Sequence, residues 1–223
     1  MQHSVSGITK TQAAYSAIRA SIESGFYPPG TRLRLKDLQE QLSFSITPIR
    51  EALRMLQSDG VVTSSPHHGV TVTTHTSEEI DEVYRLRELI EPLAASYAAQ
   101  RRTPAQLAEM QELYHELLVA AEAGQDAEAA ALNARFHACI ITASGSRLLE
   151  DLHERLRVVL PLNSLWIVSG HQQSNDDHLQ VLQAIERGDA EAAHEAMRNH
   201  VHRGHQRSAE RFGISRRLPE ATE

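Results

Sequence analysis

The sequence predicts a mainly α-helical protein built from two unlike parts. Apolar residues recur at helical spacing through most of the chain, whereas an alternating pattern is confined to one stretch, residues 61–74. The length of 223 residues suits one large domain or two smaller ones. We therefore expect three helices plus a β-hairpin over residues 8–74, and an all-α bundle of about six helices over residues 77–213.

The composition excludes several classes of protein. Apolar residues make up 41% and charged residues 23%, as in a globular domain. No apolar run has the length of a membrane helix, and the N-terminus lacks the core of a signal peptide. Cys139 is the single cysteine, which excludes an intrachain disulfide framework. We expect a cytoplasmic protein with no membrane partner.

The charge is divided unevenly along the chain. Residues 1–76 carry 7 basic and 5 acidic residues, which leaves 15 of the 22 basic and 24 of the 29 acidic residues for the rest. The net charge of −7 therefore belongs to the second part alone, while the first is slightly basic. Such asymmetry suggests two units with different partners.

Three short helices are predicted in the first part. Apolar positions three and four residues apart predict a helix over residues 11–24 and another over residues 35–42. For a third helix we expect Thr47 as the cap and Pro48 at the first position, with Gly60 ending it. Alternation over residues 61–65 and 70–74, around a turn, then predicts a β-hairpin. Three helices and a hairpin make a winged helix-turn-helix.

Helical signals continue through the second part. We expect Ser77 to cap its first helix, and Thr103-Pro104 to open the next. The further helices are expected at residues 126–143, 147–168 with an interruption at Pro161, 175–187 and 189–211.

Several segments of the first part carry a family resemblance. They are Tyr27-Pro28-Pro29-Gly30-Thr31-Arg32-Leu33, Ser45-Ile46-Thr47-Pro48-Ile49-Arg50-Glu51-Ala52-Leu53, Asp59-Gly60 and His68-Gly69. In this order and spacing they resemble the GntR family of bacterial transcription regulators. The resemblance implies that the unit binds double-stranded operator DNA, with the third helix in the major groove and the wing at the minor groove.

The residues expected to contact DNA lie on the third helix, the helix before it and the wing. They are Arg32, Lys36, Ser45, Thr47, Arg50, His67, His68 and Gly69. Ile46 departs from the family, which usually has arginine there, and an altered operator preference is expected. The alternative for Arg50 is an ion pair with Glu51 or Asp59 on a solvated face.

The second part looks like the FCD ligand-binding domain of the FadR subfamily. The motifs that carry this resemblance are Tyr84-Arg85-Leu86-Arg87, Glu91-Pro92-Leu93-Ala94, Asn133-Ala134-Arg135-Phe136-His137, His178, Ala184-Ile185 and Gly188-Asp189. Independently, His137, His178 and His200 each project from an apolar helical stripe. One such histidine is usually a hydrogen-bonded core residue, but three on three helices indicate a site.

The resemblance implies a divalent metal, Zn²⁺ or Ni²⁺, bound by Asn133, His137, His178 and His200. Asn133 stands where the family usually has aspartate, so metal affinity should be lower and a bound anion more important. Arg87 resembles the arginine that helps to hold the effector, and it can pair with a carboxylate. The alternative for Arg87 is a surface ion pair with Glu91.

These observations predict a regulator and not an enzyme. We expect a homodimer whose affinity for operator DNA changes when a small carboxylic acid binds in the C-terminal bundle. One alternative is the same regulator without metal, binding an acyl or other ligand directly. A more distant one is a metal-dependent hydrolase fused to a DNA-binding domain, although no HExxH arrangement is present and no catalytic residue is assigned.

Overall fold

A computed structural model of the protein describes residues 9–65, 69–159 and 171–212. The chain divides into two compact units, Met1–Thr74 and His75–Glu223. The helices of the described residues are α1 Lys10–Glu23, α2 Leu35–Leu42, α3 Ile46–Ser58, α4 Ser77–Arg101, α5 Pro104–Glu122, α6 Asp126–Ala143, α7 Arg147–Val159, α8 His171–Arg187 and α9 Ala190–Phe212. The strands are β1 Arg32–Leu33, β2 Val62–Ser65 and β3 Gly69–Val72. The predicted fold class is confirmed.

The N-terminal unit packs three helices against a small antiparallel sheet. Ile18 of α1 and Ile49 and Leu56 of α3 are completely buried where these helices meet. The strand order is β1-β3-β2, and Leu33 pairs with Val70. Strand β1 was not predicted, because two residues are too few to show alternation.

Helix α3 begins earlier than the sequence indicated. Ser45 is its N-cap residue and Ile46 its first residue, so the prediction that Thr47 caps this helix is wrong. Pro48 lies in the first turn, where backbone N–H groups have no partner within the helix and proline costs little. The shift leaves Thr47 exposed on the first turn of the helix.

Helix α4 also begins one residue away from its predicted cap. The hydroxyl of Thr76 accepts the Glu79 backbone N–H at 3.2 Å, and the Glu79 carboxylate accepts the Thr76 N–H at 2.9 Å. This reciprocal pair makes Thr76, and not Ser77, the N-cap residue. By contrast, Thr103 caps α5 with Pro104 in first position, as predicted.

Six helices, α4 to α9, form the described part of the C-terminal unit. Its core contains completely or almost completely buried side chains from α5, α6, α8 and α9: Met110, Leu117, Phe136, Ile140, Ile185 and Met197. Helix α8 begins at His171 and not at the expected Asn175. The predicted interruption at Pro161, and residues 160–168 of the expected fourth helix, lie outside the described residues. Within the part of the chain that is described, no helix has the length and apolar character to cross a bilayer.

Candidate metal centre and nucleic-acid surface

Three histidines from three helices meet inside the C-terminal unit. His137 lies on α6, His178 on α8 and His200 on α9, and their exposed fractions are only 3%, 0% and 5%. The Nε2 atom of His137 lies 3.3 Å from Nε2 of His178 and 3.1 Å from Nε2 of His200. The apolar stripes that carry these residues therefore bring three ring nitrogens to one point.

Burial keeps two of these imidazoles neutral. The pKa of His178 lies well below its ordinary value because burial disfavours the charged form, and His200 and His137 add to the effect. Burial also lowers the pKa of His200, to about 4, although Asp177 acts in the opposite direction. At neutral pH both rings can therefore present a nitrogen lone pair, the form in which histidine binds metal.

A buried carboxylate orients the third imidazole. Nδ1 of His137 lies 2.7 Å from Oε2 of Glu91, which is 1% exposed. Burial alone would raise the pKa of Glu91, but the charges of Arg87 and then His137 hold it well below its ordinary value. Because an ionised carboxylate only accepts, Nδ1 of His137 donates this hydrogen bond, and its Nε2 lone pair faces the other two histidines.

A second buried carboxylate lies beside His200. Arg203 donates two hydrogen bonds to Asp177, at 2.7 and 2.6 Å. Oδ2 of Asp177 also lies 3.7 Å from Nδ1 of His200, an ion-pair distance too long for a hydrogen bond. Burial raises the pKa of Asp177, and His200 and Arg203 more than offset that effect, bringing it to about 2.

The donor set fits a divalent metal. An ion bonded to imidazole nitrogens at about 2.1 Å with tetrahedral angles holds those nitrogens about 3.4 Å apart, close to the spacing found here. Asn133 lies one turn before His137 on α6 and is 7% exposed, and its Oδ1 accepts no hydrogen bond from any described residue. An orphaned oxygen beside converging imidazoles has the chemistry of a fourth ligand.

The basic surface of the N-terminal unit surrounds a groove of about 470 Å³. Arg32 and Arg34 line it from β1 and the start of α2, and Arg50 and Arg54 line it from α3. Gly69, at the base of the wing, completes the lining with a φ of +75°. The groove thus joins the predicted recognition helix to the wing and presents positive charge to both.

Arg50 makes no ion pair within the described part of the chain. The two acidic groups that could have paired with it are engaged elsewhere: Glu51 binds Arg54 at 2.8 Å, and Asp59 accepts the Tyr15 hydroxyl at 2.7 Å. The alternative in which Arg50 pairs with Glu51 or Asp59 is therefore not what the structure shows. Its exposed guanidinium can bind a phosphate or a base edge.

The other residues predicted to contact DNA occupy varied positions. Ser45 and Thr47 are exposed at the start of α3, and the Ser45 hydroxyl makes no capping hydrogen bond. Lys36 is 84% exposed and lies 3.8 Å from Glu40, outside the groove lining. His67 and His68 lie outside the described residues.

Comparison with known proteins agrees with both sites. The family model for bacterial regulatory proteins of the gntR family matches residues 10–72, and the FCD domain model matches residues 82–203. The HTH-type transcriptional regulator McbR of Escherichia coli is 34% identical over 151 residues, 68% of each chain. The uncharacterized regulator YdhC of Bacillus subtilis is 26% identical over 183 residues, 80% of this chain and 82% of YdhC. The solved structure of E. coli McbR/YncC superposes with a TM-score of 0.83 at 27% identity, over 92% of this chain and 100% of that one.

The chain belongs to the GntR family and carries an FCD domain. As predicted, this GntR-family protein is a DNA-binding transcription regulator and not an enzyme, since the relatives named above are all regulators. The hydrolase alternative is therefore dropped.

Two predicted site residues have unexpected surroundings in this GntR-family regulator. Nε of Arg87 donates to Oε1 of Glu91 at 2.5 Å, and its guanidinium lies over the Tyr84 ring, 5.0 Å from the centroid. The ion pair considered as an alternative for Arg87 is therefore present, but it is buried and not on the surface. Ile46, where the family usually has arginine, is 42% exposed at the start of α3.

Sequence reasoning missed several residues that shape these sites. Glu91 was noticed only as part of a motif and as a possible partner of Arg87, and Asp177 was not noticed. Arg34 and Arg54 were also absent from the predicted DNA surface. The spacing of Arg50 and Arg54, four residues apart, was a usable signal because such residues share one face of a helix.

Proposed function

We propose that this regulator binds operator DNA through its N-terminal unit and changes its affinity when a small carboxylic acid binds, with a divalent metal, at the three-histidine cluster. The observation that carries the proposal is the convergence of three buried Nε2 atoms 3.1–3.3 Å apart. Zn²⁺ and Ni²⁺ suit imidazole donors, and either ion would bind a carboxylate at its open coordination positions. Binding of DNA as its function also supports a cytoplasmic location.

The charges around the histidines favour an anionic effector. Glu91 is offset by Arg87, and Asp177 by Arg203, so the two buried carboxylates leave the charge of a divalent ion uncompensated. Asn133 adds an oxygen without charge. A carboxylate effector would supply the missing negative charge in a site closed to water.

Metal analysis of the purified full-length chain tests the metal part of this proposal. We expect about one Zn²⁺ or Ni²⁺ per chain, and a lower melting temperature after treatment with a chelator. The variant His178→Ala should abolish both the bound ion and the response to chelator. If wild type carries no stoichiometric ion and ignores the chelator, the metal-free regulator becomes the better description.

Loss of Arg50 tests the DNA-binding part. We expect Arg50→Ala to weaken binding at least tenfold to DNA that wild type selects from a random library, because a charge-assisted contact is lost. Arg198→Ala is the matched control, since Arg198 is an exposed arginine of α9 paired with Glu195. Equal affinities for the two variants would show that the recognition helix is wrongly placed.

An exposed apolar stripe on α4 supports a homodimer. Leu86, Leu89 and Leu93 follow helical spacing, and their exposed fractions are 47%, 70% and 38%. A second copy of the chain would cover such a stripe and provide the two-fold symmetry that a palindromic operator matches. We expect Leu89→Glu to shift the protein toward monomer in light scattering, and an unchanged mass would exclude this surface as the interface.

A further inference from the structure

Four polar atoms between α8 and α9 have no hydrogen-bond partner among the residues described. They are Oγ of Ser174, Oδ1 of Asn175, Nε of Arg207 and Oγ of Ser208. The exposed fractions of Ser174, Asn175 and Ser208 are 2%, 8% and 6%, so water does not easily satisfy them. Because an unpaired buried polar atom costs free energy, four together indicate a site that a ligand completes.

Contacts between α8 and α9 place these four groups beside the histidines. The rings of His178 and His200 lie 4.3 Å apart, and Asp177 binds Arg203. Numbers therefore fall along α8 as they rise along α9, and the next turn brings Ser174 and Asn175 level with Arg207 and Ser208. This polar group lies about one helical turn from the histidine cluster.

Arg207 differs from the other arginines near the cluster. Arg87 is bound to Glu91, and Arg203 to Asp177, whereas Arg207 forms no hydrogen bond or ion pair with any residue described. Burial lowers the pKa of Arg207, an effect that a bound anion would reverse. The charge of Arg207 is also one of the smaller influences that lower the pKa of His178, so it acts at the histidine site.

We propose that Ser174, Asn175, Arg207 and Ser208 form an anion subsite beside the three histidines, and that the effector is a small dicarboxylate with one carboxylate at each place. This inference rests on the proposed function, because it assigns the second end of the same effector. The Arg207 guanidinium can bind a carboxylate through two parallel N–H groups, and the hydroxyls of Ser174 and Ser208 can donate to it. Oδ1 of Asn175 can accept a hydrogen bond from a hydroxyl on the same ligand.

Calorimetric titration of the full-length chain tests the subsite with malonate, succinate and acetate. We expect wild type to bind at least one of the two dicarboxylates about tenfold more tightly than acetate, since acetate cannot reach Arg207. In Arg207→Gln the dicarboxylate affinity should fall about 10- to 100-fold, while acetate binding changes little. Arg207→Lys should retain part of the preference, because it retains the charge without the paired N–H groups.

Arg198→Gln is the matched control, because Arg198 lies on the same helix but pairs with Glu195 on the surface. It should bind all three acids as wild type does. If Arg207→Gln does not fold, as judged by circular dichroism, Ser208→Ala replaces it, with an expected loss of about three- to tenfold for the dicarboxylate alone.

The outcomes separate this inference from the proposed function. If wild type binds these acids and the ratio of dicarboxylate to acetate affinity is unchanged in the folded subsite variant, the subsite is wrong and the carboxylate effector stands. If wild type binds none of the three acids, the carboxylate effector and the subsite are both overturned. A preference for dicarboxylate that disappears with the subsite variant supports the inference.

Discussion

In the N-terminal unit, Arg32, Arg34, Arg50 and Arg54 are exposed around one groove, whereas in the C-terminal unit Arg87 lies against a buried carboxylate. The exposed arginines can exchange small counterions for the phosphates of a polyanion. The buried pair contributes to the environment of three histidines and has little contact with solvent. The same residue type therefore serves a large, variable partner in one unit and a small, enclosed ligand in the other.

This contrast has a consequence for mutation. Changing an exposed arginine should alter DNA binding with little effect on folding, because surface charges contribute little to stability. Changing a member of the buried pair should destabilise the C-terminal unit, because the remaining charge is left without a partner. Stability and DNA affinity measured on the same variants therefore test the contrast directly.

Glu91→Ala should have the largest effect on stability. It removes the partner of Arg87, whose exposed fraction is 7%, and we expect a loss of about 3–5 kcal/mol in the free energy of unfolding. Urea unfolding followed by circular dichroism measures this loss. The control is Glu195→Ala, which breaks an exposed pair with Arg198 and should leave the unfolding curve unchanged.

A double variant sharpens the test of the buried pair. Arg87→Met combined with Glu91→Leu replaces two charges by apolar groups of similar size, and it should recover most of the stability lost in Glu91→Ala. If Glu91→Ala costs no more than Glu195→Ala, the Arg87–Glu91 pair is not isolated from solvent.

Acid should destabilise the C-terminal unit next most strongly. The pKa of His200 is about 4 in the folded chain against 6.5 for an ordinary histidine, so between these values the unfolded chain binds a proton that the folded chain does not. Stability is then retained above about pH 6.5 and lost as the pH falls toward 4, by about 3 kcal/mol for this group. Urea unfolding at several pH values, with chelator present, measures the slope.

The variant His200→Asn checks the origin of this pH dependence. It should flatten the slope between pH 6.5 and 4, whereas Asp177, with a pKa of about 2 against 3.8, contributes only at more acidic pH. The described residues of the N-terminal unit contain no histidine, and that unit should respond little over the same interval. An unchanged slope in His200→Asn would show that other groups cause it.

Gly69→Ala should have a smaller effect on stability and a specific effect on DNA binding. The φ of +75° at Gly69 is unfavourable for alanine by about 1–2 kcal/mol. A Cβ there would also lie 3.4 Å from Nε and Nη2 of Arg32, so the guanidinium has to move. Urea unfolding and DNA titration on the same sample separate these two effects.

Gly25→Ala is the matched control for this variant. Its φ is +78°, but a Cβ would meet nothing within 4 Å. The two variants should therefore lose similar stability, while Gly69→Ala alone loses DNA affinity. Equal affinities would mean that the position of Arg32 against the wing does not matter for DNA.

The main elements of the fold were predictable because long helices show their period. Fourteen residues of α1 or nineteen of α5 display several apolar turns, whereas the two residues of β1 display none. The caps of α3 and α4 were misplaced by one or two positions, since Ser45 and Thr76 stand next to other residues that cap well. Adjacent capping residues are distinguished by hydrogen bonds and backbone angles, which the sequence does not contain.

The candidate site was predictable in part for a similar reason. His137, His178 and His200 stand out because a polar ring on an apolar stripe is uncommon. Asp177 does not stand out, because Asp176 precedes it and composition does not reveal which of the two faces inward. In the structure Asp176 is exposed and Asp177 is 1% exposed, a difference that depends on the packing of α8 against α9.

Ile46→Arg should have the smallest effect, and it extends the exposed basic surface of the N-terminal unit. Ile46 is 42% exposed, so its replacement should leave stability nearly unchanged. An added phosphate contact should raise DNA affinity about three- to tenfold at low salt and steepen the dependence of log affinity on log salt by about one. Met55→Arg is the control, since Met55 is 36% exposed at the other end of α3. If both variants change the salt dependence equally, the added charge acts through the general field of the unit, and the start of α3 has no special proximity to phosphate.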